Sequence, residues 1–226
     1  MRDRENEIQP NEAGFSLIEL LIAMTLILVV ASIASTLLSS SLNIRTRENA
    51  RTDSIADVQR ALNTMVREIA IGGYGFDSNE NGLVAFDCDN SVIRVRSNLN
   101  RYSNDATKYT IEYPDIGEDI KYFVDTTNNQ NYLVRFDRFA PAGNQTTVLA
   151  NRVDSLDVVY LSSAGAALDV VADPSQVTNA VSLRLTVNVN LPAVGAPSSP
   201  GYQPPTAIQL SSDVALRNKS ENLGTY

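Results

Sequence analysis

Histidine and tryptophan are both absent from these 226 residues, and cysteine occurs once, at Cys88. Without histidine, Ser–His and Cys–His nucleophile pairs cannot be assembled, nor can a His-ligated zinc site. A lone cysteine excludes an intramolecular disulfide, and Cys88 reads as a small buried hydrophobe. Positive charge is also scarce. The net charge is −8, and from residue 72 onward seventeen Asp and Glu face eleven Lys and Arg. That balance argues against general nucleic-acid binding. Proline and glycine are missing between Phe15 and Ile71, so a single helix of about 57 residues is allowed, about 85 Å at 1.5 Å per residue. Nothing in this inventory points to an enzyme.

What is present at the start is a long apolar run, residues 14–38, holding one acid. Glu19 is the only charge between Leu17 and Ala34, a stretch near the length that spans a hydrocarbon core as a helix. A charge at mid-membrane costs about 2.5–3.5 kcal/mol on insertion scales, less near a helix end, so such a residue is retained when something binds it. Ser16 and Glu19 also fit the S-x-x-E capping box, and an acid in the first turn complements the helix dipole. A secretory signal is disfavoured, because its small-residue cleavage site follows the apolar region whereas Gly14 precedes this one.

The word Gly14-Phe15-Ser16-Leu17-Ile18-Glu19-Leu20-Leu21 resembles the processing motif of type IV prepilins and type II secretion pseudopilins. The resemblance implies that a membrane peptidase cuts after Gly14, that Phe15 becomes the N-methylated first residue, and that Glu19 meets the new amino terminus of a neighbouring subunit. Chemistry supports that role: a carboxylate one turn along can pair across subunits with the amine that cleavage creates. In the leader, Arg2 and Arg4 are outnumbered by Asp3, Glu5, Glu7 and Glu12, where such leaders are typically basic. Orientation therefore rests on the resemblance rather than on the positive-inside rule. Thr36 stands where many major pilins carry a kinking proline, which suits minor pilins and pseudopilins.

Beyond the apolar run, Ser32, Ser35, Thr36, Ser39, Ser40 and Ser41 compete for backbone hydrogen bonds and mark a place to soften inside a filament. Ile55, Val58, Leu62, Met65 and Ile69 recur at steps of three and four, a stripe that predicts docking onto a sheet. Arg45, Glu48, Arg51, Asp53, Asp57, Arg60, Arg67 and Glu68 cover the other faces as mostly solvated charge. From Gly72 the pattern turns to strands, predicted at Leu83–Asp87, Ser91–Arg96, Thr107–Tyr113, Ile120–Asp125, Tyr132–Arg138, Thr146–Ala150, Val153–Leu161, Val181–Leu191 and Ile208–Leu216. Pro192–Pro205 holds five prolines and reads as a loop. The fold class is α+β and type IV pilin-like, a long N-terminal helix on a largely antiparallel head. Its expected parts are a cleaved leader (1–14), a transmembrane and filament-core helix (15–38), an amphipathic helix (39–71) and a β-rich head (72–226).

Arg67-Glu68-Ile69-Ala70-Ile71-Gly72-Gly73-Tyr74 resembles the helix end of PilW-like minor pilins. Tyr122–Asp125, Tyr132–Arg135, Val148–Val153 and Ala215–Asn218 resemble later blocks of that group. The J-type pseudopilin of type II secretion shares the layout. Asp77, Asn79 and Asn81, with Gly82, match the first half of an EF-hand loop, which would suit calcium, but Cys88 occupies the place of its final glutamate. The same residues serve turn chemistry alone. Asp115, Glu118 and Asp119 could be paired acids of a glycosidase but fit solvated turns better. Tyr102, Tyr109, Tyr113, Tyr122 and Tyr132 could bind glycans or DNA, and fit a half-buried sheet face better.

The resemblance implies a minor type IV pilin built into a filament rather than turning over a substrate. Its partners would be other pilins and minor pilins, prepilin peptidase, an inner-membrane assembly platform and membrane lipid, with no nucleic acid. It would sit in the bacterial inner membrane with a periplasmic head, then at the cell surface in a pilus. A pseudopilin at a secretion-system tip and a membrane-anchored ligand- or cation-binding domain are the alternatives.

Overall fold

The computed structural model describes residues 14–76, 80–100, 115–127 and 131–218. One helix, α1 (Leu17–Ala70), runs 54 residues without a break, about 81 Å of rod. Its serine-rich middle is helical throughout, with Thr36 Oγ1 donating back to the Ser32 carbonyl at 2.9 Å. Seven strands follow: β1 (Ile93–Arg96), β2 (Asp119–Asp125), β3 (Tyr132–Asp137), β4 (Thr146–Asn151), β5 (Ser155–Leu161), β6 (Ser182–Leu191) and β7 (Thr206–Ala215). A 3-10 helix, Pro174–Asn179, interrupts the crossing from β5 to β6.

The strands form two sheets, β1-β2-β3-β4 and β5-β6-β7, and every pairing is antiparallel. Predicted Leu83–Asp87 is not a strand. It makes a bridge from Leu83 to Val95 and then turns, with Phe86 in the left-handed region at φ 68°. Predicted Thr107–Tyr113 lies outside the described residues.

Two hydrophobic surfaces behave in opposite ways along α1. Its C-terminal half buries Val58, Leu62, Met65 and Ile69, four of the five stripe positions, together with Ala61 and Ala70. They meet Ile93, Tyr122 and Leu133 from one sheet, and Leu183, Leu185, Val187 and Val214 from the other, in one core. Strand β6 contributes every second residue to that core, as its alternating sequence requires. The N-terminal half buries nothing: Leu17, Ile18, Leu26, Leu28, Val30, Ile33 and Leu37 are each more than half exposed.

The helix end is locked to the sheet by close backbone crossings. Gly73 donates its N–H to the Arg96 carbonyl, and Arg96 donates to the Gly82 carbonyl. Gly73 and Gly82 both have positive φ, and a Cβ at either would fall 2.0–2.1 Å from backbone of the opposing segment.

Candidate processing and assembly site

The first described residues are shaped for access. Gly14 is exposed, and a Cβ built on it would have no heavy-atom neighbour within 4 Å. Phe15 is 83 % exposed. Ser16 occupies the N-cap in extended conformation and accepts the N–H groups of Glu19 (3.0 Å) and Leu20 (3.1 Å) at its backbone carbonyl. Its side chain makes no capping bond. The S-x-x-E capping box is thus not formed, and the hydroxyl's share in it does not explain this word.

Glu19 lies in the first turn of α1, exposed, with no ion pair or side-chain hydrogen bond among the described residues. Its carboxylate stands at the start of the only described helix that is long and apolar enough to cross a membrane, judged by length and composition. An isolated acid on such a surface calls for a cation supplied from outside the chain.

Residues 9–35 match the family model described as the prokaryotic N-terminal methylation motif. The chain has a prepilin-type N-terminus. No curated protein matches it. A prepilin-type motif implies processing by prepilin peptidase and assembly with other pilins, and with the apolar helix it fits a membrane-anchored type IV pilin or pseudopilin-like protein.

The remaining candidate residues belong to the head. Asp77 and Asn79 lie outside the described residues. Asn81 is buried and engaged at both ends of its amide: Nδ2 donates to the Val177 (2.7 Å) and Ala180 (2.9 Å) carbonyls, and Oδ1 accepts from Leu83 N–H (3.1 Å). It pins the turn after α1 to the 3-10 helix. No group of three or more His, Cys, Asp or Glu able to hold a metal ion occurs among the described residues.

Glu118 and Asp119 are not the solvated turn acids their sequence suggested, whereas Asp115 stays partly exposed. Glu118 and Asp119 are both buried. Glu118 accepts the N–H groups of Leu99 (2.7 Å), Asn100 (3.2 Å) and Asp115 (2.8 Å). Asp119 takes both ends of the Arg94 guanidinium at 2.7 Å, and these bonds push the Arg94 pKa further up against the opposing effect of burial. Asp87 also contacts Arg94, at 2.5 Å. Cys88 is buried as expected, its Sγ beside the Arg94 backbone, and burial pushes its thiol pKa up. Of the tyrosines, Tyr122 is fully buried and Tyr132 half-buried; Tyr102, Tyr109 and Tyr113 lie outside the described residues.

Glu68 departs from the solvated reading, and Arg47 is a second helix charge drawn into the head. Glu68 Oε2 accepts from the Tyr122 hydroxyl in a short hydrogen bond and from Arg135 Nε at 2.8 Å, tying α1 to β2 and β3. Arg47 is buried and donates to the carbonyls of Pro192 (2.5 Å) and Pro204 (2.7 Å) at the two ends of the proline-rich loop. Gly201 of that loop lies against Ser40, where a Cβ would approach the Ser40 Cα to 2.3 Å. The loop therefore closes as a collar on α1 at the level where exposed apolar residues give way to the head. The buried stripe could have hinted at Glu68, one step before Ile69. Nothing near Arg47 in the sequence names its partners, which lie 145 and 157 residues away.

Between α1 and the strand ends is an open polar cavity of about 630 Å³, lined by Asp53, Asp57, Asn131, Arg152, Asp154 and Asn190 among others.

Proposed function

We propose that this chain is a minor type IV pilin of the PilW-like kind, a structural subunit that acts in filament assembly after its leader is removed and Phe15 is N-methylated. One observation carries the reading. Among the described residues the apolar half of α1 has no packing partner, and its single acid, Glu19, has no cation. Bundling with other helices covers that surface, and the amine freed at Phe15 of a neighbour supplies the charge. The head contributes packing outside the bundle, and the protein's work is assembly rather than turnover. Before assembly it is held in the inner membrane with its head in the periplasm, served by prepilin peptidase and an assembly platform. Afterwards it lies in a surface pilus with other minor pilins.

Coexpression with prepilin peptidase is expected to shorten the chain by residues 1–14 and leave a methylated Phe15, read by mass spectrometry; an intact N-terminus refutes the proposal. Glu19→Ala should still insert in the membrane but enter filaments on the order of tenfold less, the scale of one lost charge-assisted hydrogen bond. Equal incorporation of the variant means the charge pair is not the mechanism.

A further inference from the structure

The proline-rich loop between β6 and β7 descends along α1 from the head. Arg47 holds its two ends, at the Pro192 and Pro204 carbonyls. Further into the loop, a Cβ on Gly195 would stand 3.0 Å from Asn43 Nδ2, and one on Gly201 would stand 2.3 Å from the Ser40 Cα. The tip, residues 196–200, lies between those two glycines. From residue 17 to residue 49 only Ser40, Asn43 and Arg47 are shielded, so this is the lowest contact the described head makes with the helix. The loop is also compact. Val194 and Gln203 exchange backbone bonds at 3.0 and 2.9 Å, and the Ala196 and Ser199 carbonyls accept the Ser199 (3.0 Å) and Tyr202 (3.1 Å) N–H groups.

That level coincides with the edge of a bilayer. The helix has no charge between Glu19 and Arg45, and residues 20–39 rise about 30 Å, the thickness of a hydrocarbon core. Residues 40–43 then climb about 5 Å, into a headgroup layer roughly 5–8 Å deep. Gly201 and Gly195 hold the loop at that height. The chain as a whole is acidic, with a net charge of −8, yet its underside has no acid. Residues 192–212 are uncharged, and no Asp or Glu occurs on α1 between Glu19 and Glu48. Arg45 is exposed at the same height. Five prolines remove five N–H donors from the loop, so fewer backbone groups need satisfying at an apolar boundary. Tyr202 adds the kind of ring that is enriched where membrane meets water.

We infer that residues 193–203 form a membrane foot, which rests in the phospholipid headgroup layer of the bilayer that α1 spans before assembly. The occupant is a lipid surface because the anchor itself sets the height of the loop, and the surface offered there is uncharged and free of acid. Arg45 supplies the one cation at that level, suited to lipid phosphate. With the foot seated, α1 cannot sink further. Glu19 then stays at the opposite boundary of the core, about 30 Å away, where a charge costs least. Entry into a filament lifts the loop off the lipid. The inference rests on the membrane-anchored reading above.

Tryptophan is absent from the chain, so a single introduced indole reports alone. The full chain is reconstituted in vesicles of phosphatidylethanolamine and phosphatidylglycerol, with and without lipids brominated high on their acyl chains. Ala196→Trp, at the exposed tip of the loop, should give blue-shifted emission that the brominated lipid quenches. Ala142→Trp, exposed in the β3–β4 hairpin at the other end of the head, should show neither effect. Leu26→Trp, in the apolar helix, should be quenched and reports insertion. Pro197→Trp, also exposed, repeats the measurement if Ala196→Trp does not fold. Quenching of Leu26→Trp with no more quenching at the loop than at residue 142 overturns the foot and leaves the anchor intact. Absence of quenching in Leu26→Trp removes anchor and foot together.

Discussion

Glu68 and Arg47 show how single residues convert a helix into a mounting post. Glu68 sits on the flank of the buried stripe, where its carboxylate meets a phenol and a guanidinium from two neighbouring strands. Tyr122 is fully buried, and burial followed by the Glu68 charge pushes its hydroxyl pKa far up, so it remains a hydrogen-bond donor. Tyr122→Phe is expected to cost about 1–2 kcal/mol, the price of one lost bond to a charged acceptor, measured by chemical denaturation of the full chain in detergent. Among the described residues Arg47 holds two carbonyls and no carboxylate, so its contribution is geometric closure of the proline loop. Arg47→Met should lower stability by about 2–3 kcal/mol. It should also speed hydrogen exchange at Val194 and Gln203, whose mutual bridge the collar supports.

At the scale of elements, α1 was legible in nearly full length. No glycine or proline interrupts Phe15–Ile71, and the helix observed, Leu17–Ala70, differs by two residues at one end and one at the other. The stripe was legible too, except that Ser54 rather than Ile55 turns fully inward at its first step. Among the described residues, seven predicted strands appear within two residues of their expected bounds. Leu83–Asp87 fails because its backbone reverses at Phe86 after one bridge, a turn that alternation of side chains does not reveal. The glycines that follow the helix are needed for close backbone contact. Gly73→Ala or Gly82→Ala drives a Cβ into backbone that cannot rotate away, and each is expected to cost about 3 kcal/mol or more. Limited proteolysis near residues 72–84, compared with wild type, would show the opening.

For the whole molecule, an apolar rod without a core joins a head with a dense one. Burial raises the hydroxyl pKa of both Tyr122 and Tyr160 and the thiol pKa of Cys88. In each case the neutral form is the one that the fold holds. An unfolded chain releases those protons from about pH 8.5–10, so the folded state binds more protons there and its stability falls as pH rises. Melting of the head should therefore be insensitive to these groups near neutrality and drop progressively above about pH 9. Replacing Tyr122 with Phe should flatten that alkaline slope.

By itself the sequence determined the features that depend on neighbours in the chain: the continuous helix, its apolar first half with one acid behind Gly14-Phe15, and the alternation that makes strands. Those are local because hydrogen bonding within a helix and the two faces of a strand need no distant partner. Only the tertiary structure decided that the strands divide into two sheets, that Glu118, Asp119 and Arg47 are buried, and that Glu68 is half-buried against β2 and β3. Pairing between segments up to about 150 residues apart depends on which surfaces meet in space, and a pattern of polar and apolar residues is the same whichever partner is met.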